Sequence, residues 1–202
     1  MYNEIVFVLA DIIENRDKGS VGHIRRTIKH LKTLTDEMLK RGIYAVELNK
    51  FNMEKFCLSA CLHDIGKISV PENIICKPDK LTAEEFEIIK THAIQGELII
   101  DQIASETKND DEFLCNAKFF AGYHHERWDG KGYPRGLNRI NIPIQGRIMA
   151  IIDVYDALVS KRPYKEPFTH EEAVKIIMDS TGEMFDPLIA EAFFEVKEQF
   201  LL

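Results

Sequence analysis

The stretch Ala60-Cys61-Leu62-His63-Asp64-Ile65-Gly66-Lys67 closes an apolar helical run with an imidazole, a carboxylate and a cation in immediate succession. Upstream of it, Asn52 is suited to cap a helix running from Met53 to about Ile65. On such a helix His63 and Asp64 lie about 100° apart, so they face different sides of whatever they surround. Downstream, the periodicity fails between Gly66 and Leu81, where Pro71, Asn73, Pro78 and Asp79 interrupt it and predict a long ordered loop.

Working outward, helical spacing recurs on both sides. Residues 3–16 carry apolar side chains at helical intervals and end in Asn15-Arg16-Asp17-Lys18-Gly19. Ser20 is positioned to cap a second helix, whose Ile24, Ile28, Leu31, Leu34 and Met38 recur every three or four residues up to Arg41-Gly42. Beyond the loop, Thr82-Ala83-Glu84-Glu85 is a capping box, in which the Thr82 hydroxyl and the Glu85 carboxylate each satisfy a free backbone N–H. Helical pattern resumes from Thr91 to Ile103, from Asp111 to Tyr123 and from Gln145 to Val159. A second capping box lies at Thr169–Glu172, and Asp186-Pro187 is a cap followed by proline at the first helical position. Asp129-Gly130-Lys131-Gly132-Tyr133-Pro134-Arg135-Gly136 is turn chemistry throughout. No alternating strand pattern interrupts this, and the expectation is a single all-α domain over residues 1–202, with its N-terminal helix in residues 1–18.

Composition narrows the function. A chain of 202 residues, 45% hydrophobic, is long enough for one substantial core. Its formal net charge of −7 argues against a nucleic acid polymer or an anionic membrane as partner, so an anionic substrate needs local help such as metal ions. Cys57, Cys61, Cys76 and Cys115 show neither CxxC spacing nor disulfide-scaffold density, which suits a reducing cytoplasm. The spacing of Cys57, Cys61 and Asp64 puts all three on one helix face, where the cysteines read as small core fillers. No apolar run approaches the roughly 18 residues of a membrane span, and Ile5-Val6-Phe7-Val8-Leu9-Ala10 runs into Asp11, Glu14 and Asp17, as a core helix rather than a signal peptide would.

The chemistry rests on the histidines. Metal ions need neutral imidazoles and carboxylates from several elements, because one helix cannot surround an ion. His23, His63, His92, His124 and His125 are spread over four segments, and Asp153 sits in the apolar run Arg147-Ile148-Met149-Ala150-Ile151-Ile152-Asp153, where a carboxylate demands a partner. Taken alone, His23 beside Arg25 and Arg26 reads as a surface residue and His92 reads equally as structural or functional, whereas the adjacent His124-His125 before a tight turn suits ligation. His30 and His170 lack such context and read as solvent-facing or helix-end residues.

Together, His63-Asp64-Ile65-Gly66-Lys67, His124-His125-Glu126, Asp129-Gly130-Lys131-Gly132-Tyr133-Pro134 and Arg147-Ile148 through Asp153-Val154-Tyr155-Asp156-Ala157-Leu158 closely resemble the HD-GYP domain, a branch of the HD phosphohydrolase superfamily. The resemblance runs from about Glu14 to Phe194. It also takes in Gly22-His23, Leu81-Thr82 with His92, and Arg162-Pro163-Tyr164-Lys165. It implies a helical fold and hydrolysis of the bacterial second messenger cyclic di-GMP to pGpG, in some members onward to GMP.

The resemblance also implies that His23, His63, Asp64, His92, His124, His125 and Asp153 are the metal ligands. Two cations about 3.5–4 Å apart would activate a water for in-line attack on phosphorus and neutralise the phosphate oxygens. Asp64, with two oxygens, is the natural bridge, while His63 terminates one ion. Imidazole and carboxylate suit iron, manganese or zinc, and the resemblance favours iron or manganese. It further implies phosphate contacts from Lys67, Arg162 and Lys165, with Lys67 assisting the leaving oxygen. Tyr133 offers the ligand a hydroxyl or a ring face, and Asp156 orients a ligand histidine.

One departure bears on stoichiometry. Where related domains with a third ion carry a glutamate four residues before the first ligand histidine, this chain has Gly19, so two ions are expected and the step to GMP is not. Two alternatives stand beside the phosphodiesterase: a module that binds cyclic di-GMP or a GGDEF-domain protein with little turnover, and a phosphohydrolase acting on another cyclic dinucleotide or a nucleotide. Such domains often follow a receiver or sensor domain, which makes the apolar first helix either a connector or a homodimer contact.

Overall fold

The computed structural model describes residues 2–14, 16, 22–107, 111–160 and 166–201, and among them the regular structure is helical, without a strand. Helix α1 (Tyr2–Glu14) precedes α2 (His23–Lys40), and the short α3 (Ala45–Leu48) leads into α4 (Met53–Ser59). Asn52 caps α4 by accepting from the Glu54 and Lys55 amides. The helix expected to reach Ile65 ends at Ser59: the chain tightens into a 3₁₀ turn at Ala60–Leu62 and another at Ile65–Ser69. His63 and Asp64 lie between these turns, so the 100° helical argument does not describe them. The stretch expected as loop after Gly66 instead holds the second turn and α5 (Glu72–Ile75).

The capping signals locate the later helices. Thr82 and Glu85 form the reciprocal box that starts α6 (Ala83–Lys90), followed by α7 (His92–Thr107) and by α8 (Glu112–Tyr123) behind Asp111. Helix α9 (Ile144–Val159) runs through the centre, and a second box at Thr169 opens α10 (His170–Asp179). Asp186 caps α11 (Pro187–Val196), with proline at the first turn. Ser20, the expected cap of α2, lies outside the described residues; Gly22 precedes α2 at φ 81°, without a side-chain cap.

The apolar residues form two clusters. The larger gathers Leu31, Leu34, Met149, Ile152, Phe193 and their neighbours from α2, α9 and α11, and the smaller joins α1 to α7 and α8 through Ile13, Ile100 and Ala117. Cys57 belongs to the first and Cys61 to the second, so the helix face expected to unite them is broken by the 3₁₀ turn. His30, expected at the surface, is fully buried in the larger core, stacked on Phe200 with ring centroids 4.2 Å apart. Its Cα stripe is that of Leu31 and Leu34, and aromatic packing claims the ring. His170 is half-buried at the start of α10, its Nδ1 2.8 Å from the Tyr155 hydroxyl.

Candidate metal centre

The seam between the two clusters is polar. Its floor is the turn around Asp64, pressed against the start of α7 by a glycine: a Cβ on Gly66 would fall on the His92 carbonyl oxygen, far inside van der Waals contact. That close approach brings the first side chain of α7 to the carboxylate. His92 Nε2 is 3.3 Å and His124 Nε2 is 3.7 Å from Asp64 Oδ1, while His63 Nε2 is 3.3 Å from Oδ2. Lys67, one short turn later, places Nζ 2.7 Å from the same Oδ2.

The protonation of these rings follows from their outer nitrogens. His63 Nδ1 donates to the Ala60 carbonyl at 2.9 Å and His92 Nδ1 to that of Ile89 at 2.7 Å. His124 Nδ1 donates to the carbonyls of Phe120 and Ala121 at 2.9 and 3.0 Å. A carbonyl only accepts, so each Nδ1 carries the proton and each neutral ring points a bare Nε2 at Asp64. Burial, reinforced by His63, pushes the His124 imidazolium down to about 3. His92 is likewise lowered, and His125 well below the ordinary histidine value, both chiefly by burial. Burial would raise the Asp64 carboxyl, but Lys67, His63 and His92 outweigh it and hold the group ionised, well below the usual carboxylate range. Asp64 Oδ1 is buried and accepts no hydrogen bond. Lone pairs facing an anion repel, and a cation between them turns that repulsion into coordination. The donors present therefore fit metal ions.

They form two groups. Asp64, His92, His124 and His125 present ligand atoms within 4.8 Å of one another, as do His23, His63 and Asp153. The His23 and His63 rings lie 5.4 Å apart and those of His63 and His124 5.2 Å apart, so the groups adjoin, with Asp64 turning one oxygen to each. All seven residues expected as ligands thus come together.

The second group is supported by charge. His23 opens α2, and its Nδ1 lies 2.7 Å from Asp156 Oδ2. Asp156 is itself gripped by Arg26, whose Nε lies 2.6 Å from Oδ1 and Nη2 3.0 Å from Oδ2. Burial opposes ionisation of Asp156, but His23 and Arg26 overcome it and keep its carboxyl far below the usual range. Asp153, one turn earlier on α9, is a quarter exposed and places Oδ1 4.0 Å from His23 Nε2.

Above the metal-ligand set lies a cleft of about 300 Å³ reaching His124, His125 and Asp153. The glycine-rich loop forms one side. The Tyr133 amide donates to the His125 carbonyl at 3.1 Å, and its ring stacks on His125 with centroids 4.6 Å apart. Gly132 permits this, because a Cβ there would strike the Arg127 amide. Glu126, buried behind the loop, accepts from the amides of Arg135 and Leu137 at 2.7 and 2.9 Å.

Sequence reasoning missed Arg26, Glu126 and the α6 residues Phe86 and Lys90, which line the other side of the cleft. Arg26 precedes Asp156 by far in sequence, and only the pairing of α2 with α9 joins them. Glu126 carried a signal as the residue after His124-His125, and α6 carried its capping box. Gly19, Arg162 and Lys165 lie outside the described residues.

A family profile described as the HD domain matches residues 7–189. Similar curated proteins include a "Probable cyclic di-GMP phosphodiesterase" of Vibrio cholerae serotype O1, 39% identical over 100% of this chain and 46% of its own length. A "Cyclic di-GMP phosphodiesterase" of Thermotoga maritima is 37% identical over 97% of this chain and 50% of its own. A "3'3'-cGAMP-specific phosphodiesterase 2" of Vibrio cholerae serotype O1 is 35% identical over 98% and 35%. The chain spans about half the length of such relatives, or less. With its His-Asp pair at the centre of a helical fold and the profile matched over most of its length, the chain belongs to the HD-domain family.

Proposed function

We propose that the chain is a metal-dependent phosphodiesterase that hydrolyses cyclic di-GMP to pGpG. The observation that carries this reading is the convergence of five histidines and two carboxylates under a cleft, with Asp64 turned to both groups. His92, His124 and His125 would hold one divalent ion and His23, His63 and Asp153 the other, with Asp64 shared. The ions would supply an activated water and neutralise phosphate charge. Iron or manganese suits the donor set, as does zinc.

The chain's own groups have definite tasks. The Nδ1 hydrogen bonds fix the ligating tautomers, and Asp156 does the same for His23 through its carboxylate. Lys67, beside Asp64, is placed to contact a phosphate oxygen and assist the departing 3′ oxygen. Tyr133 bounds the substrate cleft, and Arg162 and Lys165 are assigned to substrate phosphate. Gly19 in place of an acidic ligand supports two ions and a product that stops at pGpG. In the same reading the enzyme works in the cytoplasm, and α1, which exposes Val8, Leu9 and Ile12, is a connector to a receiver or sensor domain or a homodimer contact.

Asp64→Ala tests the proposal: the variant should lose hydrolysis of cyclic di-GMP altogether, and unchanged turnover would refute the mechanism. The relative named for 3'3'-cGAMP makes that nucleotide the competing substrate. A panel of cyclic dinucleotides, with linear product as the readout, decides between them.

A further inference from the structure

The cleft wall opposite the glycine-rich loop comes from α6, which contributes Phe86 and Lys90. Phe86 is nearly half exposed and, unlike the other exposed phenylalanines Phe119 and Phe194, lines the cleft. Its plane meets that of Tyr133 at 81°, with centroids 6.4 Å apart, so the two rings make a corner. Lys90 Nζ stands in that corner, 5.3 Å from the Phe86 centroid and 5.6 Å from that of Tyr133. Its ion pair with Glu87, whose side chain is 69% exposed, is of the weak surface kind and leaves ammonium protons to spare.

A planar base stacked on Phe86 presents its edge toward Tyr133 and Lys90. Stacking on an aromatic ring serves any base. The ammonium adds selectivity, since it donates to the N7 and O6 acceptors of guanine, whereas adenine places an amino donor where O6 would be. Because Tyr133 also stacks on His125, the corner lies one ring beyond the metal-ligand set, as a base lies beyond the phosphate of its nucleotide.

We propose that Phe86 and Lys90 form the base-recognition wall of the site: a guanine stacks on Phe86, and Lys90 donates to its N7 and O6 edge. This rests on cyclic di-GMP being the ligand, but binding tests it separately from turnover. The probes are the phosphorothioate of cyclic di-GMP and that of its 7-deaza analogue, which resist hydrolysis and share phosphate and stacking surface. Calorimetry on the metal-loaded chain should show the 7-deaza compound binding about tenfold more weakly. Lys90→Met, which removes the donor, should bind the two alike, and Phe86→Ala should weaken both about tenfold or more, with its melting temperature confirming that it is folded. A wild-type chain indifferent to N7, or a Lys90→Met variant that still prefers the parent compound, overturns the proposal. A chain that binds as expected yet leaves cyclic di-GMP intact refutes the phosphodiesterase and not the base wall.

Discussion

Two buried histidines in this molecule behave in opposite ways. His124 and His30 are both almost fully shielded, and burial depresses both, to about 3 and about 4. His124 has its Nδ1 tied to helix carbonyls and its Nε2 facing Asp64 among other imidazoles. His30 lies between Phe200 and Tyr155; neither nitrogen reaches hydrogen-bond geometry with a described residue, and the Phe200 backbone and distant Asp156 only weakly favour its proton. Burial and a lowered pKa therefore do not mark a metal-binding histidine. The mark is a fixed outer nitrogen with a bare inner one turned toward an anion.

The most severe way to break that distinction is to remove an outer partner. Asp156→Ala strips His23 of the group that fixes its tautomer and leaves the Arg26 guanidinium without its carboxylate. Loss of such a partner lowers metal affinity by about 10- to 100-fold, and breaking a buried ion pair costs about 3–5 kcal/mol. The metal content per chain, measured after dialysis, should fall by the ion of the His23 group alone, and the melting temperature should drop. Equal loss from both groups would show that they are one cooperative unit.

His30 supplies the complementary test. Between pH 6.5 and about 4 the unfolded chain takes up a proton on this ring that the fold refuses, so the unfolded state binds more protons and stability falls as pH falls. The depression from 6.5 to about 4 corresponds to about 3 kcal/mol, lost progressively through that window and constant below it. Urea unfolding at pH 7 and at about pH 4 should show His30→Phe losing about 3 kcal/mol less than the wild type. Parallel losses in the two proteins would mean that the core admits the protonated ring.

The legible parts of the molecule are those fixed by local chemistry. Asn52, Thr82, Asp111, Thr169 and Asp186 cap the helices they were expected to open, because a short polar side chain answers free amides within three residues. The seven side chains that converge below the cleft were legible only in part from the residues themselves, as the adjacent His124-His125 suits ligation while His23 alone reads as a surface residue; the resemblance joined them into one set. The helix break at Ser59 was not, since no proline or glycine marks it; it serves the contact between Gly66 and α7, which lies far along the chain. His30 and Arg26 were misread or missed for the same reason, as each takes its role from a partner on another helix.

The least anchored of the described α-helices also forms one wall of the cleft. Helix α6 has no fully buried side chain, so its position depends on its ends. Thr82 accepts from the Glu85 amide at 3.2 Å, and Glu85 accepts from the Thr82 amide at 2.7 Å while holding Lys77 at 2.6 Å. Thr82→Ala removes one half of this box, at about 1 kcal/mol. Since α6 contributes little to either core, that loss should appear locally: amide exchange in α6 should accelerate about fivefold, with α7 and α9 unchanged. Affinity for cyclic di-GMP should change little, because it follows the fraction of time the wall is formed and that fraction stays near one. A uniform rise in exchange across α7 and α9 would instead make α6 part of the cooperative core, and the contrast between a fixed metal floor and a lightly held wall would fail.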